Sequence, residues 1–85
     1  MIHLSATDAR QGFSDLIHRI EYGGERAILQ RHGKDVAAIV PIEDVVLLEV
    51  LDEQLDIEET RADLRAAFKQ GTTSVSQLRS EMGLA

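Results

Sequence analysis

The chain reads as an α+β protein. It is expected to run from a short N-terminal strand through a helix, a β-hairpin and a further helix, together forming a dimeric domain, into a helical or partly disordered C-terminal tail. Three observations predict this. Apolar residues recur at helical spacing between Leu4 and Ile20. Two apolar runs flank a glycine-bearing turn over residues 26–40. From Asp56 onward the character changes, with Asp56, Glu58, Glu59 and Asp63 crowded together.

Met1-Ile2-His3-Leu4 is short and β-tolerant, and reads as an edge strand. Ala9, Phe13, Leu16, Ile17 and Ile20 then fall on one face of a helix. Ser5 is placed to cap it, with Asp8 three residues on in a variant of the capping box. Gly23-Gly24 ends it, because glycine takes the left-handed position after a helix without penalty. Residues 26–31, RAILQR, read as a strand; His32-Gly33-Lys34-Asp35 is a turn, and VAAIV at 36–40 is the returning strand. Ala37 and Ala38 are small enough to let a helix lie close to the sheet. Pro41 stops the strand and opens a helix over residues 42–55.

That helix carries Glu43 and Asp44 in its first turn, where negative charge is favoured. Its stripe of Leu47, Leu48, Leu51 and Leu55, widened by Val46 and Val50, is broader than one hairpin can cover, so part of it reads as a subunit contact. Beyond it, Ile57, Leu64 and Phe68 recur at helical spacing with Arg61 between them, and Gly71 stops that helix. Ser74 caps a last helix, with Gln77 completing a capping box; Val75, Leu78 and Met82 line one side of it, and Gly83 ends it. Helices this short are marginal alone. The tail is therefore expected to be poorly ordered by itself and to fold onto a partner, with its alternative being to pack back on the dimer. The division falls into a dimerisation and DNA-binding domain, 1–55, and a tail, 56–85.

Eighty-five residues without cysteine exclude a disulfide-stapled scaffold and fit a reducing cytoplasm. Asp8, Arg10 and Asp15 interrupt any apolar leader, so no signal peptide is expected, and no stretch is long enough to span a membrane. The net charge of −6 lies entirely in the second half: residues 1–41 hold five basic and five acidic side chains. The first half can still present a basic face, and the asymmetry points to two partners. Arg10 sits off the apolar face in the first two turns of its helix, where a cation is disfavoured. It either pairs with Asp8 or Asp15 or meets an anion.

The order of strand, helix beginning SATDAR, hairpin around RHGK, then VPIED and an acidic tail resembles the Phd/YefM family of antitoxins from bacterial type II toxin–antitoxin modules. The likeness covers residues 1 to about 52. It is carried by Ala9-Arg10 with Phe13 and Leu16-Ile17, Ile28-Leu29 and Arg31 before Gly33, and Ala38-Ile39-Val40-Pro41 before Glu43-Asp44. Val46 departs from it, near where the family often has an aromatic. The resemblance implies a homodimer whose N-terminal half binds operator DNA and represses its own operon. It also implies a C-terminal half that wraps and neutralises a toxin, and the closing pattern from Ser74 to Gly83-Leu84 is similar to tails found beside RelE/ParE-type toxins.

On that reading the DNA-binding residues are Ser5, Thr7, Arg10, Arg31 and Lys34, with His32 a lesser candidate. The family's arginines fall on Arg10 and Arg31; the start of the first helix adds amide donors beside the hydroxyls of Ser5 and Thr7. Two protomers double the cations and suit a palindrome. The toxin-binding residues are Ile57, Arg61, Leu64, Phe68, Val75, Leu78 and Met82, apolar anchors on an acidic segment that complements a basic toxin surface. No metal or cofactor is expected, since His3, His18 and His32 lie on separate elements without ligand spacing. Ser5, Ser14 and Ser74 have no recognisable base arrangement, so no enzyme is expected. The alternatives are a stand-alone transcription regulator and an acidic dimeric adaptor with no DNA function.

Overall fold

The computed structural model describes residues 1–54 and 57–83. Its elements are β1 (Ile2–Ser5), α1 (Ala6–Gln11), α2 (Phe13–Gly23), β2 (Ala27–Arg31), β3 (Lys34–Ile39), α3 (Ile42–Gln54), α4 (Glu58–Gln70) and α5 (Val75–Glu81). The expected α+β order holds. The domain boundary at 55/56 lies outside the described residues, as do Leu55 of the expected α3 stripe, Asp56 of the acidic cluster and Leu84 of the closing pattern.

The three strands form one sheet in the order β1-β2-β3. β1 runs parallel to β2, with Ile2 opposite Ala27 and Ser5 opposite Gln30, so α1 and α2 form the crossover between them. β2 and β3 are the hairpin. Its turn is His32-Gly33, both with positive φ (53° and 75°), which is the two-residue geometry whose twist matches that of the flanking strands. Gly33 takes this conformation freely; His32 bears the strain. The pairing steps from Leu29–Ala37 to Gln30–Asp35, leaving Val36 as an extra, exposed residue in β3.

One sheet face packs on α1 and α2. Ala9, Leu16, Ile20 and Ala27 are buried there, with Ile2, Leu4, Leu29 and Ile39 packed against them. The single helix expected over 5–20 is in fact two, because Gly12 interrupts it with φ −113° and ψ 35°. A glycine inside a helix costs about 1 kcal/mol relative to alanine, and here the break separates two short helices. The apolar stripe is also narrower in effect than its spacing implies. Phe13 is 52% and Ile17 37% exposed, because a three-stranded sheet covers only the centre line of the helix face. The caps fall where expected: Ser5 Oγ accepts from the Asp8 amide at 3.0 Å, and Gly24 closes α2 in the left-handed conformation.

α3 has almost no cover. From Val45 (38%) to Ile42 (75%), its large apolar residues are exposed, including Val46, Leu47, Leu48, Val50 and Leu51. None of its residues is buried. It is tied to the body by ion pairs: Arg26 with Asp44, whose second contact is 3.0 Å, and Asp52 with Arg61 of α4 at 2.7 Å. Seven apolar residues spread among five carboxylates and left open to water have an unmet demand for burial.

The tail takes the helical form of the two expected. α4 and α5 are helical and find a surface within their own chain: α4 packs on β3. Ala37 and Ala38 lie on this approach, as their size anticipated. Ser74 Oγ caps α5 by accepting from the Gln77 amide at 3.1 Å, but the Gln77 side chain reaches forward to Glu81 and leaves the capping box half made. No helix among the described residues is long and apolar enough to cross a membrane.

Candidate nucleic-acid interface

The parallel register assembles the site. Ser5 ends β1 opposite Gln30, so α1 begins directly above the carboxyl end of β2, where Arg31 emerges. Ser5, Ala6, Thr7, Arg10, Gln30, Arg31 and His32 line a pocket of about 360 Å³ there. Four of the five residues assigned to DNA from the sequence, Ser5, Thr7, Arg10 and Arg31, thus meet in one place. Twenty-one positions separate the two arginines in the chain, and only the β1–β2 pairing joins them.

The fifth, Lys34, is not with them. The tight turn sends it to the other side, where it lies against Gly71 and shares a groove with Arg65 and Lys69 of α4. His32 is in the pocket. Gln30 joins it unanticipated; its position opposite Ser5 depends on a strand register that one sequence does not display.

Ion pairing separates the arginines of the first half into two kinds. Arg19 is held by Glu25 at 2.7 Å, which raises its pKa and lowers that of Glu25, chiefly through the hydrogen bond. Arg26 is held by Asp44, with the same opposed shifts from the same cause. Arg10 and Arg31 form no ion pair among the described residues, so the surface pair with Asp8 or Asp15 is not formed. Two unpaired guanidinium groups beside two hydroxyls make a donor-rich, cationic recess suited to phosphate oxygens or a guanine edge. The Ser5 hydroxyl accepts from Asp8 and keeps its own proton to donate.

The residues assigned to a toxin are spread along α4 and α5. Ile57, Phe68, Val75 and Leu78 are half-buried, while Leu64 and Met82 are exposed, the latter 69%. Arg61 is engaged with Asp52 and, at 3.5 Å, Glu58. Among the described residues no group of His, Asp or Glu is gathered closely enough to hold a metal ion.

The recess at one end of the sheet is cationic and rich in donors, and α3 is uncovered and carries most of the chain's excess acid; the tail expected to be acidic is balanced over 57–83, where Glu58, Glu59, Asp63 and Glu81 are matched in number by Arg61, Arg65, Lys69 and Arg79. In comparison with family models, the profile described as "Antitoxin Phd_YefM, type II toxin-antitoxin system" matches residues 1–80. The chain belongs to the Phd/YefM antitoxin family. Neither the curated proteins nor the solved structures give a match.

Proposed function

We propose that this chain is a type II antitoxin that binds its operator as a homodimer, represses its own operon, and neutralises a cognate toxin, a RelE/ParE-type ribonuclease or a relative, through its C-terminal tail. It acts by binding and performs no catalysis, in the cytoplasm where its DNA lies. The observation that carries the DNA half is the convergence of the unpaired Arg10 and Arg31 with Ser5 and Thr7 in one pocket. The homodimer is supported by α3, whose exposed apolar surface is satisfied by a second copy related by a two-fold axis. Such a pair presents two recesses to the two halves of a palindrome.

The toxin half rests on the family and on the tail's composition. Phe68 is its only large aromatic, and its truncation to alanine is expected to weaken the toxin complex by about 2 kcal/mol, roughly thirtyfold, as for a central anchor. The test pairs two measurements: a mobility shift on the DNA upstream of the chain's own reading frame, and co-purification with the polypeptide encoded by the adjoining frame. Arg10→Ala should weaken the first and spare the second. A protein that shifts no DNA at low salt is an adaptor, and an operator-binder with no adjoining toxin is a stand-alone regulator; either result refutes the proposal.

A further inference from the structure

Phe68 and Val75 do not stand free in the isolated chain. They face the second side of the sheet, where with Ile28 and Ala38 they border an open groove of about 560 Å³. The groove is open to solvent, so apolar contact between tail and sheet is incomplete here. The firm attachment is polar. The Val75 amide donates to Asp35 Oδ2 at 2.8 Å, and the Gln30 side-chain amide donates to Asp35 Oδ1 at 2.8 Å. Asp35 is 8% exposed, the only buried charged side chain among the described residues.

The hairpin is shaped for this contact. The extra residue at Val36 brings Asp35 opposite Gln30, on the face that carries Ile28 and Ala38; in unbroken register Asp35 would pair one position on and turn to the other face. The α4–α5 turn is fitted to the same hairpin. Gly71 closes α4 in the left-handed conformation (φ 76°), with the end of the Lys34 side chain beside it.

We propose that Asp35 is a latch: by accepting the Val75 amide it stores the tail against the chain's own sheet, and a toxin must displace the sheet to reach Phe68 and Val75. The inference rests on the reading of the tail as the toxin-binding segment, and it adds an internal competitor for that segment. Free tail is then a minor population, and the apparent toxin affinity is reduced by its fraction.

The test is amide hydrogen exchange on the full chain, as wild type, Asp35→Ala and Val75→Pro. Proline removes the donor alone: position 75 is the first of α5, where proline is accepted, and Ser74 is already extended (φ −134°, ψ 166°) as the residue before proline must be. Loss of a hydrogen bond to a charged acceptor should speed exchange over residues 72–82 by about tenfold or more in both variants, with β2 amides still protected. Should Asp35→Ala also expose β2, Val75→Pro decides. Unprotected tail amides in the wild type, or no change in the variants, overturns the latch; protection that vanishes on dilution to monomer overturns the intramolecular storage. With the polypeptide from the adjoining reading frame, Asp35→Ala should bind tighter by the factor seen in exchange. Faster exchange without tighter binding overturns the competition. Absence of binding by wild type and variant alike overturns the antitoxin reading, and the exchange data still judge the latch.

Discussion

If the recess holds phosphate as proposed, replacing Arg10 by alanine should change the salt dependence of DNA binding by an amount set by the number of cations there. The recess holds two arginines without an ion pair among the described residues, Arg10 and Arg31, so the proposed homodimer would make about four phosphate contacts. Each contact releases counterions, with log K falling by about 0.9 per tenfold rise in salt, giving a slope near −3.6 from these side chains. Between 50 and 200 mM salt that slope costs about 150-fold in affinity. With Arg10 gone from both protomers the slope falls to about −1.8 and the loss to about 12-fold. Fluorescence anisotropy on a duplex from upstream of the reading frame, titrated at four or so salt concentrations, reads both values. Arg19→Ala is the control, since Arg19 is engaged with Glu25 and lies outside the recess. Its slope should match the wild type. An Arg10→Ala slope equal to the wild type's, or a change of the same size in Arg19→Ala, refutes the assignment of the recess to phosphate.

Other outcomes follow from the same structure. Leu48→Glu puts a charge on the exposed apolar side of α3; with about 1.5–3 kcal/mol at stake per leucine and two copies per dimer, dissociation should rise on the order of 100-fold or more by sedimentation. Leu16→Ala empties a buried position beneath the sheet and should cost about 3 kcal/mol, lowering the thermal midpoint by more than about 12 °C. Asp35 has its pKa pushed up by burial, but bonds from Val75 and Gln30 and the nearby His3 outweigh this and leave it below the usual aspartate value. A lowered folded value means its stabilisation is complete above the ordinary carboxylate range and is lost as pH falls through the lowered value. Denaturant midpoints followed downward from pH 5 should therefore fall, and Asp35→Asn should flatten that part of the curve; parallel curves would count against it.

Much of the layout was legible because it is local. Ser5 and Ser74 cap helices through bonds to amides three residues on, and Gly33 turns the hairpin within its own neighbourhood. The surplus of leucine and valine in α3 could be read as an unmet contact without any coordinates. Other features misled for a physical reason. The stripe from Ala9 to Ile20 was continuous in spacing, yet Gly12 broke the helix and the small sheet left Phe13 and Ile17 outside. The tail's weak apolar stripes did not decide between a partner and the chain's own sheet, because the far face that receives α4 exists only once the strands are paired.

The sequence determined the elements, their order, the placing of all the net acid in the second half, and the family to which the residues point. The tertiary structure decided which side chains meet. Arg10 reaches Arg31 because β1 lies parallel to β2 with Ser5 opposite Gln30; Lys34 is parted from them by a two-residue turn; Asp35 reaches Val75 because one extra residue in β3 turns it to the tail's side. Strand register is set by which faces can be buried across long stretches of chain, and a shift of one residue reverses every side chain. That choice belongs to the packed molecule as a whole.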